Sequence, residues 1–242
     1  MPSYQRKRHQ LIATCLENFN SEYLAEHNIM FGGGTRIALE FDEYRESVDI
    51  DFLCKDKNAY RAVRQQVTNL SLGDLVRTDF NYGRKIIFDR YGVRTFIVVA
   101  GVNIKLEFVA FDNYQLKPDI EAPLFPVPYI NHESCFVTKL LANADRLGVK
   151  PYKDIFDIVV MCSYLGEIPQ VSLLEAYSHY GKNEIDQSLK SGLVQLTKDP
   201  TAYAEAAAGM GVNAAYFTNV ILPCANKMLL AASSRLLAPT VR

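Results

Sequence analysis

Alternating and helical spacings of apolar residues divide the chain into a strand-rich first half and a helical second half. Ile29-Met30-Phe31 is a short apolar run of the kind that makes a buried strand, and Val48 to Cys54 reads as a second strand in which alternate residues share a face. Val102 to Val109 alternates more fully, with Ile104, Leu106 and Phe108 on one side and Lys105 and Glu107 on the other. Lys85 to Asp89, Thr95 to Ala100 and Val102 to Phe111 form a β-rich block, and the Asp89-Arg90-Tyr91-Gly92 and Ala100-Gly101 interruptions fit hairpin turns. Ahead of the strands, Leu11, Ile12, Cys15, Leu16 and Phe19 recur at helical spacing, which predicts one helix from Gln5 to His27 packed on the back of the sheet. Asn58 to Leu70 predicts another helix, followed by a turn-rich connection over Ser71 to Asp79.

Pro118, Pro123, Pro126 and Pro128 concentrate four of the ten prolines in eleven residues, so 112–131 is expected to be an extended crossover without helix. It is read as the boundary between a first domain, residues 1–118, and a second, residues 119–242. From Glu133 the pattern is helical to the end, with stops at Gly148-Val149-Lys150-Pro151, Gly166 to Pro169, Tyr180-Gly181 and Gly209 to Gly211. Five or six helices of this kind make a bundle. The last segment, Ala214 to Leu237, is apolar on most sides and reads as a buried bundle helix, with a partner-binding surface as the alternative. Pro223 is expected to kink it or to end its first part.

At 242 residues and 49% hydrophobic composition the chain can bury a full core. Its net charge of −1 makes no general case for nucleic-acid binding, and the local clusters Arg6-Lys7-Arg8 and Arg61, Arg64 and Arg77 read as solvated faces, with an RNA contact as the alternative. The five cysteines contain no C-x-x-C pair and the four histidines show no ligand spacing, so reduced thiols and no structural zinc are expected. No apolar run reaches the roughly 18 residues of a membrane span. The first residues lack the apolar core of a secretory signal, and a cytoplasmic protein without membrane contact is expected.

The candidate chemistry lies between the first two strands. Gly32, Gly33 and Gly34 break the first strand and let backbone N–H groups approach an anion closely, and Thr35 is predicted to cap a helix over Arg36 to Phe41, whose N-terminus is itself an anion site. Asp49 and Asp51 point the same way from the second strand, and paired carboxylates repel unless a cation such as Mg²⁺ sits between them. Alone, a D-x-D at a strand edge and a glycine turn are both common. In the order strand, glycine turn, helix, strand they point to phosphoryl transfer from an NTP. Glu107 can complete a metal triad, or it belongs to an ordinary solvent-facing Lys/Glu surface.

Lys139, Asn143 and Arg146 fall on one face of the helix that begins near Glu133, as a triphosphate site or as a solvated stripe. The next helix carries Lys153, Asp154 and Asp157. Asp154 suits the helix N-terminus, whereas Asp157, between Phe156 and Ile158, needs a partner such as Arg146 or Lys153.

Taken together, Gly33-Gly34-Thr35, Arg45-x-Ser47-x-Asp49-Ile50-Asp51, Lys105-Leu106-Glu107, Lys139, and Arg146 with Lys153-Asp154-Ile155-Phe156-Asp157 resemble the AbiEii/AbiGii toxin family of nucleotidyltransferases, in the DNA polymerase β-like superfamily. The resemblance covers residues 28–165 and departs in a threonine after the glycines, where many superfamily members have serine, and in a glutamate as third carboxylate. It implies an α+β fold in which a mixed sheet flanked by helices precedes a C-terminal helical bundle that contributes Lys, Arg and Asp residues to the site. It implies a two-metal Mg²⁺ site on Asp49, Asp51 and Glu107, with Lys139 and Asp157 also catalytic. Gly32, Gly33, Gly34, Thr35, Arg45, Ser47, Lys105, Asn143, Arg146, Lys153 and Asp154 would bind the NTP. A bacterial toxin acting on tRNA, with a cognate antitoxin, is the function it implies. A small-molecule nucleotidyltransferase of the aminoglycoside type and an inactive nucleotide-binding module remain the alternatives.

Overall fold

The computed structural model describes residues 3–121 and 123–237, which fall into two compact units, residues 1–135 and residues 136–242. In the first unit, α1 (Lys7–Glu17) and α2 (Ser21–Glu26) lead into β1 (Ile29–Gly32), α3 (Gly33–Glu40), β2 (Asp49–Cys54) and α4 (Lys57–Gln66). The short strands β3 (Asn81–Tyr82) and β4 (Ile87–Asp89) precede the long hairpin of β5 (Gly92–Val99) and β6 (Val102–Ala110). The sheet runs β1-β2-β6-β5-β3, with β4 also on β5. It is mixed: β2 and β6 are parallel, and every other pair is antiparallel. The β5–β6 turn takes positive φ at both Ala100 (49°) and Gly101 (75°), the two-residue geometry whose twist matches that of the flanking strands.

The single helix expected over residues 5–27 is two helices. Asn18 and Asn20 interrupt it because their polar groups serve other partners: the Asn18 carbonyl accepts from the Arg77 N–H at 2.8 Å, and the Asn20 side chain accepts from the Tyr23 N–H to cap α2. Phe19 between them is buried, 4.6 Å from Phe52 by ring centroids. Phe52 and Phe108 stack at 5.2 Å across the parallel pair. These rings, with Ile12, Leu16, Ile50, Ile97, Ile104 and Leu106, make the core on the face of the sheet opposite Asp49 and Asp51. Likewise α4 stops at Gln66, short of Leu70, after Asp56 caps its start through the Asn58 and Ala59 amides.

The proline-rich stretch is extended, yet it packs as part of the first unit. Phe31 N–H donates to the Pro128 carbonyl at 2.7 Å and Ile130 N–H to the Phe31 carbonyl at 3.0 Å, while Phe125, Val127 and Tyr129 are buried in the core. The division between units therefore falls after Cys135, within α5 (His132–Asp145), and not at residue 118. Residues 1, 2 and 238–242, at the ends of the two expected domains, lie outside the described residues.

The second unit continues through α6 (Lys153–Leu165), α7 (Gln170–Tyr180), α8 (Lys182–Lys198), α9 (Pro200–Gly209), α10 (Ala214–Tyr216), a π-helical turn at Phe217–Ile221 and α11 (Leu222–Leu237). Phe156 is its aromatic hub, edge-on to Tyr203 and Phe217, and Tyr203 stacks on Tyr152 at 4.2 Å. Pro223 lies in the first turn of α11, and the first part of the segment, α10 and the π-helical turn, ends immediately before that helix. Among the described side chains of α11, Ala225 is buried but Leu230 is 70% exposed, so this stretch is not enclosed on all sides. Among the described residues no helix is long and apolar enough to cross a membrane.

Replacing Phe52 by alanine should lower the stability of the first unit by about 3–5 kcal/mol, the usual cost of an emptied aromatic site. Urea denaturation followed by tyrosine fluorescence measures it, and a midpoint equal to that of the parent chain would show that the stacked rings are not the core.

Candidate functional site

The glycine turn meets the second strand by direct contact. Gly32 ends β1 opposite Asp51, and Gly33 opens α3 at φ +70°. A Cβ placed on Gly33 would lie 2.3 Å from the Asp51 Oδ2. Only glycine accepts both the conformation and that proximity, so the first turn of α3 rests on the Asp51 carboxylate. Gly34 follows within the helix.

Thr35 does not cap the helix, because α3 starts two residues earlier. Its buried hydroxyl instead donates to the Asp49 carbonyl and lies 2.8 Å from the Ser47 hydroxyl. That pair ties α3 to the entrance of β2. Arg45 is buried in the same loop, where its guanidinium donates to the Tyr44 hydroxyl at 3.0 Å and to the Glu46 carbonyl at 3.1 Å. It braces the loop.

Register then orders the carboxylates. Asp49 and Asp51 are two apart on β2 and both partly buried, and the parallel pairing sets Asp49 beside Lys105 and Asp51 beside Glu107 on β6. The Glu107 carboxylate is engaged by the Lys105 ammonium and lies 3.7 Å from the Arg94 guanidinium of β5. Among the described residues, no three ligand-type side chains are clustered closely enough to form a ready metal site. The donors are nonetheless all hard carboxylate oxygens, the set that suits Mg²⁺.

Arg94, from the strand beside β6, is a residue the sequence reading missed. So is Arg36, wholly buried in α3, which donates to the Ile130 carbonyl at 2.8 Å and pairs with Glu40. Burial raises the Glu40 pKa, but His132 at 2.8 Å and Arg36 outweigh it and hold the carboxyl below its ordinary range. No local spacing announces either arginine.

The second unit builds its own polar centre. Lys139, Asn143 and Arg146 do share a face of α5, and the face is occupied. Lys139, 4% exposed, lies 3.0 Å from Asp154 and 2.6 Å from Asp157, both buried on α6. Arg146 reaches the other Asp154 oxygen at 2.8 Å. Asp157 is thus paired with Lys139, where the sequence suggested Arg146 or Lys153, because the second turn of α6 faces the middle of α5 while Asp154 in its first turn is the residue that reaches Arg146. Asp154 does more than complement a helix dipole, since it bridges Lys139 and Arg146. Lys153 is half-buried at the first position of α6, and the buried Asn143 Nδ2 has no hydrogen-bond partner among the described residues. Asn143, Arg146, Tyr152, Asp154 and Tyr203 line an open cleft within this unit.

The family model for the nucleotidyl transferase AbiEii toxin, type IV TA system, matches residues 14–215. Among solved structures, the fold is similar to that of a candidate nucleotidyltransferase from H. pylori, with a TM-score of 0.53 at 15% identity over 97% of this chain and 99% of the other. It is also similar to JHP933 from Helicobacter pylori, with a TM-score of 0.51 at 16% identity over 97% and 98%. At such identities the likeness speaks to fold alone. No curated protein matches the chain.

Two substitutions test this geometry. Gly33→Ala should displace Asp51 or the first turn of α3 and cost at least the roughly 1–3 kcal/mol of a strained backbone position, visible as a lowered Tm; an unshifted Tm would count against the contact. Lys139→Met leaves Asp154 and Asp157 without their shared ammonium and should cost about 3–5 kcal/mol, measured by chemical denaturation at pH 7.

Proposed function

Because the chain belongs to the AbiEii nucleotidyl transferase toxin family, we propose that it is a Mg²⁺-dependent nucleotidyltransferase that moves an NMP from an NTP to an acceptor hydroxyl, on tRNA. The observation that carries the reading is the contact of the Gly33 turn with Asp51, which sets a helix N-terminus beside a D-x-D strand. The first amides of a helix have no intrahelical partner and its dipole favours negative charge, so the start of α3 is suited to phosphate oxygens. Asp49, Asp51 and Glu107 would hold the metal, and a divalent ion bound there supplies charge neutralisation of the triphosphate and a lowered pKa for the attacking hydroxyl.

The chain's own part is positioning. Thr35 fixes the Asp49 backbone, and the Gly33 contact fixes Asp51. Lys105 and Arg94 hold the Glu107 side chain in place on the neighbouring strand. In such transfers most of the rate comes from orientation and from prearranged charge, not from covalent chemistry on the protein. Within the helical unit, a buried lysine and a half-exposed arginine around Asp154 suit an anionic ligand, and Lys139 and Arg146 are the cations we assign to polyphosphate. Membership in a toxin family implies an antitoxin partner as well as the nucleotide, and the absence of a spanning helix among the described residues is compatible with the cytoplasm.

The grip of Lys105 and Arg94 on Glu107 favours a second reading, a nucleotide-binding module without transfer. Purified protein incubated with each labelled NTP, Mg²⁺ and total tRNA separates the two. Label on tRNA is expected. Label only on a small-molecule acceptor would replace the tRNA assignment, and Mg²⁺-dependent NTP binding without any transfer would establish the second reading. Asp49→Ala should reduce transfer by at least about 10²-fold, the scale lost with one electrostatic stabiliser, while circular dichroism shows the fold retained; activity equal to the parent's would remove the D-x-D from the reaction.

A further inference from the structure

His9 lies on α1, ahead of the residues that the family model matches, and it is fully buried. Its Nε2 accepts the Ser47 backbone N–H at 2.9 Å, and its Nδ1 is 2.7 Å from the Glu43 Oε1. An N–H pointing at Nε2 leaves that nitrogen unprotonated, so the ring carries its proton on Nδ1 and donates it to Glu43. Glu43 is itself gripped by the chain start: its carboxylate accepts the Gln5 N–H at 2.6 Å and the Arg6 N–H at 3.1 Å, and its carbonyl accepts from Arg6 Nε at 3.1 Å. Beyond Ser47 the line continues to Thr35, whose hydroxyl holds the Asp49 carbonyl. One buried chain of hydrogen bonds therefore joins α1 to the backbone of the D-x-D strand.

We propose that His9 is a positioning residue that, in its Nδ1–H form, holds Ser47 and hence the entrance to Asp49 in place, and that protonation of Nε2 releases this loop. The consequence for catalysis rests on the transferase reading above; the hold on the loop does not. An imidazolium cannot accept the Ser47 N–H, and two donors facing one another at 2.9 Å repel. Among the described residues, the charged and titratable groups that act on the ring are Glu43 and Glu46 from the loop and Arg6 from the start of its own helix, and the Tyr4 hydroxyl interacts electrostatically with Glu43. Burial lowers the His9 pKa below the ordinary 6.5, and this outweighs the upward pull of Glu43. The sign follows: the unfolded chain binds the proton more readily, so this contribution to stability is complete above pH 6.5 and falls as the pH drops below it through the folded value.

The two ring nitrogens can be replaced one at a time. Gln at position 9 keeps an acceptor near the Nε2 position for Ser47, whereas Asn keeps a donor near the Nδ1 position for Glu43 and loses that acceptor. Nitrogen-15 NMR of the full chain should show the Nδ1–H tautomer at pH 7.5, and the Ser47 amide should exchange slowly until His9 titrates. In H9N that amide should exchange about tenfold faster or more, as expected for loss of one buried hydrogen bond, and in H9Q within about threefold of the parent. Nucleotide incorporation by the parent should fall on an acid limb that follows His9 titration. H9Q should lack that limb, and H9N should lose kcat by about 10–100-fold at every pH. Equal Ser47 exchange in H9N and the parent, or an Nε2–H tautomer at neutral pH, overturns the proposal. The titration of the parent chain requires no substitution and decides the point should H9N not fold. If His9 controls Ser47 exchange while no form of the chain incorporates nucleotide, the hold on the loop stands and the transferase reading falls.

Discussion

The arrangement of the first unit depends on a side chain that is missing. Gly33 turns the chain at positive φ and lets the start of α3 lie against Asp51 at a distance no other residue allows. That contact decides where the D-x-D strand sits relative to the helix N-terminus. A larger residue would need either the helix or the strand to move, and β2 cannot move freely because it is hydrogen-bonded on both sides, to β1 and to β6.

The parallel pairing of β2 with β6 supplies the second constraint. Side chains directly across a parallel pair are neighbours, so the acidic positions of β2 meet a lysine and a glutamate instead of further strand-filling residues. On the opposite face the same register stacks Phe52 on Phe108. A slip of one residue would exchange the two faces, driving carboxylates into the core and phenylalanines into water. The aromatic core is therefore what specifies the alignment of the polar face, and chemistry and stability are set by one register.

Much of this was legible in the chain because it is local. Alternation in Val102 to Val109 located β6, the glycine run located the turn, and the spacing of Lys139, Asn143 and Arg146 placed them on one face of α5. What escaped were facts settled by distant partners. The helix break at Asn18 requires Arg77, and the role of Thr35 requires Ser47 and Asp49. His9 reads as an ordinary helix residue until Ser47, thirty-eight positions later, is seen to donate to it. The partner of Asp157 depends on how α6 packs along α5, which periodicity does not contain. The proline-rich stretch was recognised as extended, but its burial against Phe31 gives no signal in composition, since prolines mark a backbone conformation and not an address in the fold.

The polar centre of the helical unit has one more property. Lys139 and Arg146 face Asp154 and Asp157, two cations against two anions, and the cluster is formally neutral. An arriving anion finds no surplus of positive charge there. A polyphosphate bound there, as proposed, would gain the ammonium only by taking over bonds that a carboxylate already makes, so its affinity would depend on the difference between two well-bonded states. With Lys139 almost wholly enclosed, the exchange proposed there would be screened by dissolved salt less than one at an exposed lysine.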